Sequence, residues 1–321
     1  MYNQIMANLK YNRYLNESPL VSEIGLGTWQ LGENSGWRSI SEKQAIEMVQ
    51  KAIALGVNFF DTAPNYGLGT SEIRIGKALK GIDRSKLVIN TKFGHSVSGD
   101  IDFSAAAIRS SLEGSLRRLQ TDYIDSLIIH NPPLAYLNGN ENPHYEILGR
   151  LVEEGKIRGY GASVDTYAEM KLLLETTNSS VIEVFFNILH QDTGRGFDLA
   201  LDKKVAIIAK IPLDSGWLTG KYDANSSFED IRKRWSKTDI VTRSKLVDML
   251  NEIVSGPVNL TQAALSFCLA YEAVSTVIPG STSLSQLKSN VEGAERIMPK
   301  ELVNELEEFY QQEVKHLQIP W

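Results

Sequence analysis

The sequence alternates short apolar runs with longer amphipathic runs, and this alternation constrains the fold more than any other feature. Eight runs are rich in β-branched and aromatic residues, and most precede a segment whose apolar residues have helical spacing. The predicted strands are residues 23–27, 57–61, 87–91, 123–129, 157–161, 181–186, 205–209 and 275–278. The first six begin at intervals of roughly 24–37 residues, the length of one strand–helix unit. The pattern predicts an α/β fold, a closed (β/α)8 TIM barrel.

The segment 41–56 illustrates the helical pattern. It begins at Ser41, a residue type that caps helices, and ends at Gly56. Between them Ile46, Val49 and Ile53 recur at helical spacing. Further helices are predicted over residues 71–79, 103–119, 145–154, 166–176 and 194–203.

Two segments lie outside the repeating pattern. Residues 9–23 predict a small N-terminal hairpin, with its turn at 16–18, that would close the N-terminal end of the barrel. The interval between the last two predicted strands is the longest, and it contains a Gly-, Ser- and charge-rich stretch at 216–239. This stretch predicts a long loop after strand seven, either a functional lid or an exposed loop. No linker interrupts the chain, so one domain is predicted over residues 1–321.

The main competing fold is an open, doubly wound sheet that binds a dinucleotide through G-x-G-x-x-G. Two stretches of the chain approach this motif. The last glycine is replaced by Gln30 in GLGTWQLG and by Glu72 in GLGTSEIRIG. The sequence therefore predicts no Rossmann domain.

Composition narrows the class of partner. The net charge of −6 argues against nucleic acid or an anionic membrane as a partner. The single cysteine, Cys268, cannot form an intrachain disulfide and is predicted to be a buried apolar residue. We expect a cytoplasmic protein that acts on a small molecule, with no metal site, and the oligomeric state stays open.

Ionisable residues occur where three consecutive predicted strands end. Asp61 ends the second strand, Lys92 follows the third and His130 follows the fourth. Tyr66 lies in the loop after the second strand. Each residue alone has a structural explanation, such as a capping aspartate or a surface lysine. Because active sites of barrels lie at the carboxyl ends of the strands, the four together predict one convergent site.

The four residue types indicate protonation of a carbonyl oxygen. A free tyrosine has a pKa near ~10, and we expect the Lys92 ammonium to lower the pKa of Tyr66. Asp61 would keep Lys92 charged and in place. A neutral His130 would donate an N–H to the same substrate oxygen as Tyr66. Since no side chain can deliver a hydride, a nicotinamide or a flavin is implied.

Six motifs occur in an order that resembles the aldo-keto reductase family over nearly the whole chain. They are FDTAPNYG, NTKFG, IIHNP, GKIRGYGAS, PLDSGWLTGKY and IPGSTS. The resemblance implies an eight-fold barrel and an NAD(P)H-dependent oxidoreductase that reduces an aldehyde, ketone or sugar. It also implies that Asp61, Tyr66, Lys92 and His130 form the catalytic tetrad, with Tyr66 as the general acid.

The resemblance further implies a dinucleotide lying extended across the barrel mouth. Its expected contacts are Gly27, Thr28, Trp29, Ser163, Asn187, Lys210, Pro212, Leu213, Gly216, Leu218, Gly280, Ser281, Thr282, Ser283, Gln286 and Asn290. The Ser-rich loop after strand eight precedes a predicted helix, and helix N-termini attract phosphate. Lys288 is the basic residue of that loop, so NADPH is favoured only modestly and NADH stays possible.

Three positions depart from the family pattern. Ser163 is followed by Val164 where relatives commonly have Asn, and Glu183 stands where Gln is frequent. Lys210 occupies the position of an aromatic residue that stacks on nicotinamide in many relatives. These departures affect the expected orientation of the cofactor more than its binding.

The expected substrate pocket is aromatic, formed by Trp29, Trp37 and Phe93, which suits small aldehydes, ketones or sugars. Two other functions stay open. One is a lyase that uses Lys92 to form a Schiff base. The other is a redox-sensing regulatory subunit in which a bound cofactor controls a partner and turnover is vestigial. The C-terminal LQIPW is expected to dock on the barrel or to reach its mouth.

Overall fold

Eight parallel strands surround a common axis in the computed structural model, which describes residues 9–16, 18–255, 258–294, 297–317 and 319–320. These barrel strands are Leu26–Gly27 (β3), Phe59–Asp61 (β4), Val88–Phe93 (β5), Ile124–Ile129 (β6), Ile157–Val164 (β7), Val181–Phe185 (β8), Ala206–Lys210 (β9) and Val274–Val277 (β10). Each overlaps one predicted strand. The sequence prediction of a (β/α)8 barrel is therefore confirmed.

The barrel closes by contacts between its first and last strands. The strands are paired in chain order from β3 to β10, and parallel bridges join Ile24 to Val277 and Gly27 to Gly280. A side chain at Gly27 would place Cβ only 2.7 Å from the carbonyl oxygen of Ile278. Glycine is thus required where the two strands meet.

Helices cover the outside of the barrel. They are Glu42–Ala54 (α1), Thr70–Ala78 (α2), Ala105–Leu119 (α3), His144–Glu153 (α4), Tyr167–Thr176 (α5), Phe197–Asp202 (α6), Lys237–Ile253 (α7), Leu260–Leu269 (α8), Leu284–Gly293 (α9) and Lys300–Phe309 (α10). Ser41 caps α1 in a capping box with Gln44, as its sequence predicts. The helix predicted over 194–203 is shorter, because residues Asp192–Gly196 form a 3-10 turn first. No helix in the described ranges combines the length and apolar content needed to cross a bilayer.

The N-terminal hairpin closes the lower end of the barrel. Its strands are Tyr11–Asn12 (β1) and Val21–Ser22 (β2), which pair in antiparallel fashion. Tyr14 and Leu15, from the connection between them, are buried in an apolar cluster with residues of the barrel interior. The ring of Tyr14 meets that of Phe59 edge to face at 5.2 Å. This arrangement confirms the predicted plug.

The long segment after β9 crosses the upper end of the barrel. Residues 211–236, called the strap below, contain the 3-10 segments Asp214–Thr219 and Ile231–Arg234, and α7 and α8 follow it. The backbone N–H of Ile231 donates to the carbonyl oxygen of Gly36 at 2.8 Å. This bond joins the strap to the loop after β3.

Candidate active site at the barrel mouth

A buried ion pair lies at the base of the site. Asp61 ends β4 and Lys92 lies near the end of β5, and both side chains are shielded from solvent. The Lys92 Nζ atom donates to the two carboxylate oxygens of Asp61, at 2.6 and 2.8 Å. It also donates to the carbonyl oxygen of Thr62 at 3.1 Å. Parallel pairing of β4 with β5 sets Asp61 opposite Asn90, and Lys92, two residues further along β5, points to the same face as Asn90.

A second carboxyl group, on Glu183 of β8, faces the same ammonium. Its Oε2 atom lies 3.3 Å from Nζ of Lys92 and 3.3 Å from Nδ2 of Asn90. Asn90 also donates to Asp61 at 2.7 Å. Burial and the nearby Asp61 carboxylate raise the pKa of Glu183 to about 7, and the ammonium groups of Lys92 and Lys210 partly offset the rise.

Tyr66 lies above this cluster. The Nζ atom of Lys92 is 3.5 Å from the phenolic oxygen of Tyr66. Burial raises the pKa of Tyr66 well above its ordinary value, and the Lys92 ammonium offsets only part of the rise. Lys92 thus lowers the pKa of Tyr66 as expected, but the net pKa stays above the ordinary value, because desolvation of the phenolate outweighs the attraction of the ammonium. Tyr66 is protonated at neutral pH.

His130 completes the predicted group of four. Its ring stands edge-on to that of Tyr66, with centroids 5.8 Å apart. Burial, reinforced by the positive charges of Lys92 and Lys210, holds the pKa of His130 well below its ordinary value. The imidazole is neutral at pH 7. The four predicted residues thus lie together at the carboxyl ends of three adjacent strands and in the loop after β4.

Below the ion pair, hydrogen bonds continue along the barrel axis. The Ser126 hydroxyl lies 2.5 Å from Oδ1 of Asn90 and 2.6 Å from the phenolic oxygen of Tyr14. Each of these side chains is buried. The chain of contacts therefore connects the N-terminal plug to Asp61.

A cavity of about 780 Å³ opens above the four residues. Tyr66 and His130 line it, whereas Lys92 lies beneath its floor. Eleven of the expected cofactor residues line it: Gly27, Thr28, Trp29, Lys210, Pro212, Leu213, Gly216, Gly280, Thr282, Gln286 and Asn290. The cavity therefore runs from Tyr66 and His130 to the start of α9.

Five expected cofactor residues do not line the cavity. They are Ser163, Asn187, Leu218, Ser281 and Ser283. The Asn187 side chain is engaged by the backbone of residues 189 and 211, and Leu218 is part of the hydrophobic core. Asn187 and Leu218 therefore lie behind the residues that line the cavity.

The three serines of this set hold neighbouring groups. The Ser163 hydroxyl contacts the backbone N–H and side chain of Asn131, at 2.7 and 2.6 Å. Ser281 accepts from Nδ2 of Asn290 at 3.1 Å, and Ser283 caps α9. Asn131 itself lines the cavity.

Two of the three expected substrate residues form an aromatic wall. Trp29 stacks on Tyr66 with ring centroids 5.8 Å apart, and Trp37 meets Trp29 edge to face at 5.6 Å. Phe93 does not line the cavity. Its side chain is fully buried and stacks on His144 in the outer core, because consecutive residues of a strand point to opposite faces and Lys92 points inward.

The strap carries an arginine into this wall. The Arg232 guanidinium lies 5.3 Å from the Trp37 ring and 4.7 Å from the Phe228 ring. It donates to the Tyr222 hydroxyl at 2.5 Å and pairs with Asp230 at 2.5 Å. Arg232 therefore ties the strap to the aromatic wall of the cavity.

Lys210 replaces an aromatic surface with a charge. Its Nζ atom donates to Oδ1 of Asn131 at 2.7 Å and pairs with Asp165 at 2.8 Å. The side chain is mostly buried and lines the cavity. A fixed ammonium therefore lies on the β9 side of the cavity.

Several cavity residues were missed at the sequence level. They are Gln30, Arg38, Asn65, Asn131, Lys221 and Arg232. Asn131 had a signal, because it follows His130 and adopts a left-handed backbone conformation that favours asparagine (φ 44°). Residues of the strap had none, since the path of a long loop is not encoded in local periodicity. Another strap residue, Trp235, is buried against Trp217 and does not line the cavity.

The C-terminal segment contacts the strap side of the barrel. The Arg243 guanidinium, on α7, donates to the carbonyl oxygen of Pro320 and pairs with Asp214 at 3.0 Å. Docking of the tail on the barrel is thus observed at this residue. The prediction for Trp321 lies outside the described residues.

The chain was compared with known proteins. The sequence profile of the aldo/keto reductase family matches residues 23–311. The chain belongs to the aldo/keto reductase family. It is an oxidoreductase of the class that acts on carbonyl groups.

Relatives within the aldo/keto reductase family align over most of their length. L-galactose dehydrogenase from Arabidopsis thaliana is 30% identical over 326 residues, covering 98% of this chain and 98% of that protein. The NADH-specific methylglyoxal reductase of Escherichia coli is 27% identical over 292 residues, covering 84% and 89%. Among solved structures, the holo form of aldo-keto reductase AKR11C1 from Bacillus halodurans is similar, with a TM-score of 0.79 and 28% identity. The match covers 97% of this chain and 99% of that one.

The aldo/keto reductase family uses nicotinamide cofactors, and the cavity has features that suit such a group. Its volume lies in the range of ligand-binding pockets. Gly280 lines it against the side chain of Gln30, which a Cβ atom at that position would approach to 2.2 Å. Beyond Gly280, the capped N-terminus of α9 presents backbone N–H groups to an anion. These residues fit a nicotinamide dinucleotide.

Proposed function

We propose that the protein reduces a small aldehyde, ketone or sugar to the alcohol with a nicotinamide cofactor, and that Tyr66 is the general acid. One observation carries the proposal: the Tyr66 hydroxyl and His130 face one cavity while the Lys92 ammonium lies 3.5 Å beneath the phenol. When bound, the reduced nicotinamide supplies the hydride. The side chains supply the proton and orient the carbonyl.

In this proposal each residue has a distinct task. Tyr66, protonated because its pKa is raised, donates its proton to the oxygen as negative charge develops there. The neutral His130 donates an N–H to the same oxygen. Lys92 remains charged because the Asp61 carboxylate, with a smaller contribution from Glu183, outweighs the effect of burial, which alone would lower its pKa. Its charge stabilises the phenolate left on Tyr66 after transfer.

The cofactor would be held by the strap and by the loop after β10. Gly216 and Leu213 offer backbone to the phosphates on one side, and Thr282, Gln286 and Asn290 face the cavity on the other. Aromatic surface from Trp29 and Trp37 suits the apolar parts of a small substrate. No separate nucleotide-binding domain is required, and one domain over residues 1–321 stays our prediction.

We propose NADPH as the preferred cofactor, with only a modest advantage over NADH. The hydroxyls at the start of α9 can accept from or donate to a phosphate, but Lys288 points to Glu292 at 3.4 Å rather than into the cavity. We therefore expect kcat/KM to favour NADPH by less than about tenfold, since Lys288, the basic residue of this loop, pairs with Glu292. A preference for NADH, which the name of the Escherichia coli relative describes for that protein, would reverse this assignment.

The experiment is a steady-state assay of nicotinamide oxidation with a panel of short aldehydes, ketones and sugars, including methylglyoxal and galactose. Turnover of at least one substrate supports the proposal. Cofactor binding without turnover of any carbonyl would favour the regulatory alternative. The Schiff-base alternative has less support, because Lys92 is buried and charged and a nucleophilic amine must be neutral.

A further inference from the structure

The two carboxyl groups around Lys92 are not equivalent. Asp61 contacts Nζ through both oxygens, at 2.6 and 2.8 Å, whereas Glu183 contacts it through one oxygen at 3.3 Å. Short contacts to donors stabilise a carboxylate. Asp61 is thus the better stabilised anion, and Glu183 is the carboxyl that more readily keeps a proton.

The surroundings of Glu183 support a shared proton. Asp61 and Glu183 contact the same ammonium, and beyond the effect of burial the Asp61 carboxylate raises the pKa of Glu183 because two buried carboxylates repel each other, so Glu183 readily keeps a proton. The groups that face or adjoin Glu183 are Asp61 of β4, Asn90 and Lys92 of β5, Ser163 of β7, Lys210 of β9, Tyr66 of the loop after β4 and Tyr14 of the plug. Lys210 is itself paired with Asp165. The pKa of Glu183, raised to about 7 by burial, agrees with this geometry.

We propose that Glu183 stores the proton that carbonyl reduction consumes and returns it to Tyr66 through Lys92. The inference rests on the proposed function. Glu183 acts through other side chains, and it is therefore a positioning residue for the proton rather than a group that touches the carbonyl.

The transfer balances. The hydride supplied by the reduced nicotinamide forms the new C–H bond, and the O–H bond of Tyr66 breaks as the alcohol O–H forms. An N–H proton of Lys92 then passes to the phenolate, over 3.5 Å, and the Glu183 proton passes to the Lys92 amine, over 3.3 Å. The site ends with Tyr66 and Lys92 protonated and Glu183 as a carboxylate. Solvent returns one proton to Glu183 before the next cycle.

This scheme couples the charge of the nicotinamide ring to the proton on Glu183. Glu183 lines the cavity beside Tyr66, where the ring must lie for hydride transfer. The oxidised ring is positive and favours the carboxylate, whereas the reduced ring is neutral and leaves the proton in place. Binding of the oxidised cofactor therefore releases a proton that binding of the reduced cofactor does not release.

The test is isothermal titration calorimetry of the oxidised and reduced cofactor near pH 7, each in two buffers with different heats of ionisation. The difference between the two forms cancels the protons of the phosphates, which both share. We expect the oxidised form to release up to about half a proton more, because a group with a pKa of about 7 is half protonated there. The difference should vanish in Glu183→Gln, which keeps the shape of the side chain. It should persist in Glu146→Gln, a control at an exposed carboxylate on α4.

Equal proton release by the two cofactor forms in the wild-type protein would overturn the inference, and so would a difference that persists in Glu183→Gln. The wild-type comparison stands even if the variant does not fold. A protein that binds neither form would instead contradict the proposed function. The two failures are therefore distinguishable.

Discussion

At its lower end the barrel is filled by apolar side chains of the plug, whereas at its upper end the same strands carry buried charges. Leu15 and Val21 pack on Phe59 and Val88 below. Four residues after Val88 on the same strand, Lys92 stands between two carboxyl groups. Burial of apolar surface stabilises a fold, while burial of charge costs free energy unless each charge is paired. The lower end therefore stabilises the fold, whereas the upper end carries the groups that we propose for catalysis.

The largest effect is expected from a change at Lys92, in the charged upper end of the barrel. Lys92→Met leaves the Asp61 carboxylate buried without its cation, so we expect the free energy of unfolding to fall by about 3 kcal/mol or more. Activity should be lost with it. Denaturant unfolding measures the first effect. Lys77→Met is the matched control, because Lys77 pairs with Glu42 on the surface and should contribute less than about 1 kcal/mol. Equal losses in both variants would contradict the assignment.

The substitution Tyr66→Phe should reduce catalysis without reducing stability. Tyr66→Phe deletes the transferable proton, and we expect kcat to fall by about 10²-fold or more. Cofactor affinity and the unfolding midpoint should stay close to those of the wild type, because the ring of Tyr66 is retained against Trp29. Tyr160→Phe, at a tyrosine that packs beside Tyr145 outside the barrel, should leave kcat unchanged. Full activity in Tyr66→Phe would remove Tyr66 from the mechanism.

In the plug we expect a substitution to reduce stability without reducing activity. Leu15→Ala opens space in the lower apolar cluster, so the free energy of unfolding should drop by about 2 kcal/mol. Steady-state kinetics at a temperature well below the unfolding midpoint should not change. Leu20→Ala on the same hairpin is the control, since this side chain is 55% exposed and should have little effect. A kinetic defect in Leu15→Ala would show that the two ends are not independent.

The smallest effect is expected in the strap. Arg232→Ala removes the contacts to Trp37, Tyr222 and Asp230, and we expect cofactor dissociation constants to rise by about fivefold, the size of a partly shielded cation–π contact. Fluorescence titration of the reduced cofactor measures this change. Arg195→Ala removes a similar stacking contact, on Tyr167, away from the cavity, and should leave the affinity unaltered. An unchanged affinity in Arg232→Ala would mean that the strap does not depend on this contact.

Much of the fold could be predicted because its signal is local. Each strand of the barrel is a short apolar run, and Asp61, Lys92 and His130 stand where such runs end. The error at Phe93 was avoidable, since strand alternation places it opposite Lys92. The net direction in which the pKa of Tyr66 shifts was not predictable, because it depends on how deeply the phenol is buried. The contribution of Arg232 depends on the path of a long loop, which periodicity does not describe.

The plug also joins the two ends of the polypeptide. The amide of Asn12 donates to the carbonyl oxygen of Ser275, and the Thr276 hydroxyl donates to that of Ser22, across 263 and 254 residues of chain. Contacts between such distant residues form slowly, because a large loop must be ordered first. During synthesis on the ribosome, the hairpin can meet Phe59 and Ser126 early, but its bonds to residues 275 and 276 cannot form until those residues have emerged. The growing chain therefore spends most of its translation as an open sheet with a free edge, exposed to chaperones and to aggregation.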